Sequence, residues 1–282
     1  MTDEAPRVAG VMGWPIHQSK SPILFAHWFA TMDIAGHYIP LAVDPADFAM
    51  VFAALPKSGF RGVNVTVPHK ESALAEADLR TETAEVIGAA NMIVFDPAQG
   101  RIADNTDAYG FFENLRAGAP LWQAKAAPAL VLGAGGAARA VVHALAEAGV
   151  PEIRIANRSR DRADTLASLR PGVARPVAWD ERSDALDGAG LLVNTTSLGM
   201  AGKPPLDIVL DAMPAGGVVN DIVYAPLETP LLAAARARGL CAVDGLGMLL
   251  HQARPAFRAW FGADPAVDAA LRAACLAPRP KR

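Results

Sequence analysis

The sequence predicts an α/β protein of two domains, each built on a mostly parallel sheet, the second of Rossmann type. Three observations carry this. The chain has 282 residues, which suits two domains of ~150 residues each. Short apolar runs alternate with helical stretches, which implies parallel strands covered on both faces. Gly133-Ala134-Gly135-Gly136-Ala137-Ala138 follows an apolar run and opens a helical one, the setting of a dinucleotide-binding turn.

Residues 8–12 read as the first strand. A helix follows over 22–32, with Ser21 as N-cap and Pro22 at the first helical position, where the missing N–H is not needed. Strands are expected over 38–43 and 62–67, with a helix over 46–55 between them, and Pro68 stands where the next helix would begin. Residues 91–95 and 101–103 flank Asp96-Pro97-Ala98-Gln99-Gly100, a turn cluster that predicts a hairpin. A connecting helix over 106–117 and a proline-containing loop over 118–128 lead to a second half where the alternation restarts. Its strands are expected over 129–132, 153–156, 173–178, 191–193, 218–223 and 241–243, and its helices over 136–148, 162–169 and 229–238. Residues 248–261 and 265–276 read as helical. The division expected is 1–107, 108–245 and a C-terminal helical part, 246–282.

With 52% hydrophobic and 20% charged residues, the composition excludes a disordered, coiled-coil or collagen-like chain. The net charge of −3 leaves no basic excess to release counterions, so no nucleic-acid partner is expected. Cys241 and Cys275 form no Cys-x-x-Cys pair, and the histidines are scattered without a His-Glu-x-x-His. That predicts a reduced interior without a metal. No apolar run reaches the ~20 residues of a membrane span. The start, Met1-Thr2-Asp3-Glu4, has no basic n-region. The expectation is a cytoplasmic protein without a membrane partner.

In the glycine loop, Gly133, Gly135 and Ala138 fit the spacing G-x-G-x-x-G/A. The first glycine allows the tight turn, the second lets backbone approach a pyrophosphate, and the small third residue lets helix and strand pack closely. Free N–H groups at the helix start, from Gly136 and Ala137 onward, then bind the anion. An NAD site places an acidic residue about 20 positions further on, at the ribose hydroxyls. This chain has Asn157-Arg158-Ser159-Arg160-Asp161-Arg162 there. Guanidinium groups suit a 2′-phosphate, so the cofactor expected is NADP, with Arg158 and Arg162 as its phosphate partners.

Three clusters in the first half bear on a substrate. Ser19-Lys20-Ser21 puts two hydroxyls at a helix start, an anion site suited to a carboxylate, although on spacing alone Ser21 is a simple cap. In Asn64-Val65-Thr66-Val67-Pro68-His69-Lys70, Asn64 and Thr66 alternate with valines and project from one strand face. They lie near its carboxyl end, where open α/β sheets bind ligands. Lys70 falls in the first helical turn, where a cation opposes the helix dipole; that marks it as a functional lysine, the alternative being a solvated one. Asp107 is either a capping acid or the carboxylate that orients Lys70.

These residues, together with Gly13-x-Pro15-Ile16-x-x-Ser19, Gly88-Ala89-Ala90-Asn91, Asn105-Thr106-Asp107, Asn194-Thr195-Thr196-Ser197 and Asp244-Gly245-Leu246-Gly247-Met248 through Gln252-Ala253, resemble the shikimate dehydrogenase family over nearly the whole chain. The resemblance implies an enzyme that reduces 3-dehydroshikimate to shikimate with NADPH, in the chorismate route to aromatic amino acids. It implies a three-layer substrate domain and C-terminal helices that return to it. Ser19 and Ser21 would hold the substrate carboxylate. Asn64, Thr66, Asn91, Asp107 and Gln252 would surround the ring hydroxyls, with Tyr224 nearby, and Lys70 and Asp107 would be the catalytic pair. Thr195, Ser197 and Met248 would lie near the nicotinamide, and Ala134, Asn157, Ser159 and Gly245 would complete the cofactor set. A monomer or homodimer with a small-molecule substrate is expected. Two departures, Gln18 and Met92 in place of the family's usual His and Thr, leave room for a paralogue acting on quinate or aminoshikimate. A non-catalytic NADP-binding sensor is the remaining alternative.

Overall fold

The computed structural model describes residues 7–277; the acidic start of the chain lies outside them. The chain divides into two compact units, Met1–Thr106 with Leu250–Arg282, and Asp107–Leu249.

The first unit opens with β1 (Arg7–Gly13), α1 (Ser21–Met32), β2 (Gly36–Ala42), α2 (Phe48–Ala54), β3 (Phe60–Val65) and α3 (Lys70–Ala75). Then come β4 (Leu79–Arg80), α4 (Glu82–Ile87), β5 (Met92–Asp96) and β6 (Gly100–Asp104). The sheet order is β2-β1-β3-β5-β6-β4. It is parallel except where β5 runs antiparallel to β3 and β6; β5 and β6 form the expected hairpin. Phe48 and Phe52 of α2 and Ala73 of α3 pack with Met12, Val63, Val65 and Ile93 of the strands.

The second unit begins with α5 (Asp107–Gly118), β7 (Ala129–Leu132), α6 (Gly136–Glu147), β8 (Ile153–Ala156), α7 (Arg160–Ser168) and β9 (Ala174–Val177). It continues with β10 (Leu191–Asn194), β11 (Val218–Asp221), α8 (Pro230–Ala237) and β12 (Cys241–Val243). Every pairing is parallel, and the order is β12-β11-β10-β7-β8-β9. Counted from its first strand this is 3-2-1-4-5-6, the Rossmann order, with the reversal between β7 and β10.

Helix α9 (Leu246–Phe261) carries the chain back, and α10 (Ala269–Leu276) ends it. Within the first unit the return is fixed by aromatic packing and by specific hydrogen bonds. Phe25 of α1 lies 5.6 Å from Phe257 and 6.0 Å from Trp260 between ring centroids. Trp28 Nε1 donates to the Ala266 carbonyl at 2.9 Å, and Lys20 Nζ to the Cys275 carbonyl at 2.6 Å. Trp260 Nε1 donates to the Ile93 carbonyl at 3.1 Å. A Cβ on Gly62 would sit 1.9 Å from that indole nitrogen, so the close approach of α9 to β3 requires glycine there. The unit thus has three layers, with α2 and α3 on one sheet face and α1, α9 and α10 on the other.

Three local readings are corrected. Helix α1 starts at Ser21 itself, with Lys20 in the N-cap position; the Ser21 N–H donates instead to Ser19 Oγ at 3.3 Å. Strand β3 ends at Val65, so Thr66 lies just beyond it, held by its N–H to the Met12 carbonyl at 2.9 Å. The helix expected from Pro68 begins at Lys70.

Candidate active site

The cofactor end of the second unit is built on the strand reversal. Gly133 has φ +107°, a conformation that favours glycine, and a Cβ there would lie 2.6 Å from Thr195 Oγ1. Thr195 Oγ1 in turn donates to the Leu132 carbonyl at 2.6 Å, which locks the end of β10 against the end of β7. Gly135 differs: its φ of −93° suits any residue, and a Cβ would meet nothing within 4 Å. Nothing in the protein's own packing asks for glycine at 135. The open space beside this helix start is what a pyrophosphate lying on the backbone needs, so the residues present fit a dinucleotide.

At the end of β8, Asn157 Nδ2 donates to the Ser159 carbonyl at 2.8 Å, which shapes the turn. Of the arginines that follow, Arg160 is held by Asp164 at 2.9 Å. Arg158 and Arg162 are exposed and their guanidinium groups have no carboxylate partner among the described residues. They are the ones left for a phosphate dianion. Ser197 is exposed, Tyr224 half-buried and Met248 buried. Gly245 is held tight under the backbone of Ile222, whose carbonyl oxygen a Cβ would approach to 2.1 Å.

In the first unit the polar residues gather at one end of the sheet. Asn64, at the end of β3, is buried. Its Oδ1 accepts from the Tyr38 hydroxyl at 2.8 Å, and its Nδ2 donates to the Asn91 carbonyl at 3.0 Å. Burial pushes the Tyr38 hydroxyl well above its ordinary pKa, against the opposing pull of a hydrogen bond with Ser21, so it stays protonated and donating. Asn91 Nδ2 donates to Gln252 Oε1 at 3.2 Å, and Asn91 Oδ1 accepts from the Thr106 N–H at 2.8 Å. The Thr106 hydroxyl donates to the Gln252 carbonyl at 2.8 Å. This network joins the segment leaving the unit to the segment returning to it. The Lys70 carbonyl accepts from the Ala90 N–H at 2.9 Å, which sets the first residue of α3 beside the segment leading to Asn91. Its neighbour His69 is structural: buried, stacked on Phe48 at 4.9 Å, its Nε2 donates to the Val43 carbonyl at 2.8 Å.

Asn64, Asn91 and Gln252 are therefore brought together, with Lys70 alongside. Tyr38 and Thr106 were missed as orienting partners. Thr106 had a signal in Asn105-Thr106-Asp107; Tyr38 had none, since its partner lies 26 positions away. Asp107 is the first residue of α5, in the second unit. A separate cavity of about 670 Å³, lined by residues including Lys57, Arg61, Phe95 and Arg101, lies at the opposite end of the strands. Among the described residues no cluster of His, Cys, Asp or Glu could hold a metal ion, and no helix is long and apolar enough to cross a membrane.

Comparison with known proteins finds relatives over most of the chain. Residues 11–93 match the shikimate dehydrogenase substrate binding domain, 117–199 the shikimate / quinate 5-dehydrogenase domain, and 245–275 the shikimate 5′-dehydrogenase C-terminal domain. A shikimate dehydrogenase (NADP(+)) of Paramagnetospirillum magneticum is 57% identical over 270 residues, covering 96% of this chain and 98% of its own. One of Rhodospirillum rubrum is 57% identical over 274 residues, covering 96% and 97%. Among solved structures, shikimate 5-dehydrogenase from Thermus thermophilus in complex with NADP(H) and shikimate superposes with a TM-score of 0.85 at 36% identity, covering 95% of this chain and 98% of its own. Quinate dehydrogenase from Corynebacterium glutamicum in complex with NAD gives 0.89 at 31% identity, covering 96% and 99%. With three family domains matched in order along it and relatives 57% identical over 96% of its length, the chain belongs to the shikimate dehydrogenase family.

Proposed function

We propose that this chain catalyses the reversible, NADP-dependent reduction of 3-dehydroshikimate to shikimate, within the chorismate route to aromatic amino acids. The observation that carries this reading is the 57% identity, over 96% of the chain, to a relative named shikimate dehydrogenase (NADP(+)). NADPH, when bound, supplies the hydride; the protein's task is binding, orientation and the proton. In this reading the second unit is the cofactor domain. Gly133, Ala134, Gly135, Gly136 and Ala137 cradle the pyrophosphate. Asn157, Arg158, Ser159 and Arg162 take the 2′-phosphate end, and Thr195, Ser197, Gly245 and Met248 the nicotinamide end.

The first unit is the substrate domain. Ser19 and Ser21 hold the carboxylate, and Asn64, Thr66, Asn91 and Gln252 sort the ring hydroxyls, with Tyr224 as a further contact. Hydride addition to a ketone leaves negative charge on its oxygen. The Lys70 ammonium stabilises that oxygen and gives it a proton, and in the reverse direction Lys70 takes the proton back. Asp107 is the second acid–base residue of this reading. The protein works in the cytoplasm as a monomer or homodimer, with no nucleic-acid or membrane partner; the net charge of −3 supports the former absence.

The likeness to quinate dehydrogenase, with Gln18 and Met92 at two family positions, favours quinate as the second substrate to test. Purified protein should be supplied with shikimate or quinate, each with NADP+ or NAD+, while nucleotide absorbance is followed. Fastest turnover with shikimate and NADP+ is expected. Turnover of quinate alone would move the reading to the paralogue, and none at all to an NADP-binding sensor.

A further inference from the structure

The second unit buries a carboxylate that the proposed chemistry does not use. Asp221 ends β11 and is fully buried. No cation is paired with it among the described residues. Its partners are all neutral. Oδ1 accepts from Asn194 Nδ2 at 3.0 Å and from the Val223 N–H at 3.1 Å, and Oδ2 accepts from the Thr229 hydroxyl at 2.7 Å. Burial raises its pKa, with the Thr229, Val223 and Asn194 bonds opposing, so the ionised form is less favoured here than in water. A carboxylate kept under those terms needs another reason.

The reason lies in what it holds. By attracting Asn194 Nδ2, the carboxylate turns Asn194 Oδ1 outward from β10. There it accepts from the Thr196 N–H at 3.0 Å and the Thr196 hydroxyl at 2.7 Å. Asn194 Nδ2 also donates to the Leu198 carbonyl at 3.2 Å, and the Leu198 N–H donates to Thr196 Oγ1 at 3.1 Å. The turn over residues 195–198 is thus shaped from below by one amide, which the carboxylate anchors from the β11 side. The Val223 bond does the same for the segment that leads to Tyr224. A flip of the Asn194 amide would set oxygen against oxygen at the carboxylate and at the Leu198 carbonyl, and N–H against N–H at Thr196, so Asp221 is the anchor from β11 in a set of three that fix this amide.

We propose that Asp221 is a positioning residue that orients the 195–198 turn for the dinucleotide, acting through Asn194. This deepens the functional reading above and rests on it, since that reading makes the turn part of the cofactor site. Calorimetry of Asp221→Ala and Asp221→Asn with NADP+ and, separately, with shikimate tests it. Asp221→Ala should raise the Kd for NADP+ at least tenfold and leave that for shikimate within twofold. Asp221→Asn keeps one oxygen for Asn194 and Val223, and should stay within about threefold of wild type. A residue with only a structural role would weaken both ligands together. Should Asp221→Ala fail to fold, Thr196→Val, which cuts the same network at a partly exposed position, should raise the NADP+ Kd several-fold with shikimate binding unchanged. Wild-type affinity for NADP+ in both Asp221→Ala and Thr196→Val, or equal losses for both ligands, overturns the inference alone. Failure of the wild-type protein to bind NADP+ overturns the parent reading with it.

Discussion

Replacing Gly135 by alanine separates the needs of the fold from those of the cofactor. A Cβ at Gly135 would meet nothing within 4 Å and its φ is −93°, so the fold should tolerate the methyl. Alanine removes backbone freedom from the unfolded chain, stabilising by about 0.4–1 kcal/mol. It is also a poorer N-cap than glycine for α6, a loss of about 0.5–1 kcal/mol. The two offset, and unfolding stability should stay within about 1 kcal/mol of wild type. A pyrophosphate lying on this backbone would meet the methyl directly. Overpacking of that kind costs about 1–3 kcal/mol, or roughly fivefold to a hundredfold in the Kd for NADP+. Gly133→Ala is the opposite control. There φ is +107° and the new Cβ would lie 2.6 Å from Thr195 Oγ1, so about 1–3 kcal/mol of strain falls on the fold itself. Thermal unfolding and calorimetric NADP+ binding of both variants are the assays. If Gly135→Ala binds NADP+ like wild type, the pyrophosphate does not lie on this turn, and the reasoning from empty space fails.

Lys70→Ala should lower kcat by about 10²–10⁴-fold, the range of a positioned acid–base group, while shikimate binding by calorimetry changes little; near-normal turnover would return Lys70 to a solvated lysine. Arg158→Leu should weaken NADP+ by about 1.5–3 kcal/mol, roughly tenfold to a hundredfold, and NAD+ much less. Arg160→Leu, which only breaks the pair with Asp164, should leave the NADP+/NAD+ ratio of kcat/KM in place, and equal losses for both nucleotides in Arg158→Leu would count against the phosphate role. Hydrogen bonds from Arg101 hold the Asp78 carboxyl well below the usual range. A carboxyl depressed on folding adds stability above its unfolded pKa, about 3.9, and loses it as pH falls below that. The Tm gap between wild type and Asp78→Asn should therefore be open at pH 6 and close towards pH 2, and a gap constant across that range would show that the pair contributes nothing.

What the sequence by itself determined was whatever depends on near neighbours along the chain. Apolar runs bounded by Gly and Pro placed eleven of the twelve described strands, because strand and helix periods show within a few residues. Gly133, Gly135 and Ala138 were readable as one turn because they sit within six positions. Strand β4, with two exposed residues, and helix α4, six residues long, were invisible because neither is long enough to show a period. Only the tertiary structure decided which polar side chains meet. Asn64 is oriented by Tyr38, 26 positions away, Asn91 by Gln252, 161 positions away, and Asn194 by Asp221, 27 positions away. A hydrogen bond needs two atoms within about 3 Å, and that proximity arises from strand order and helix packing, which no local pattern encodes. The same holds for glycine. Gly62 carries no local sign of its need for glycine, which comes from Trp260 packed against it, whereas Gly135, marked by its motif for a ligand, is a glycine that the protein's own packing does not require.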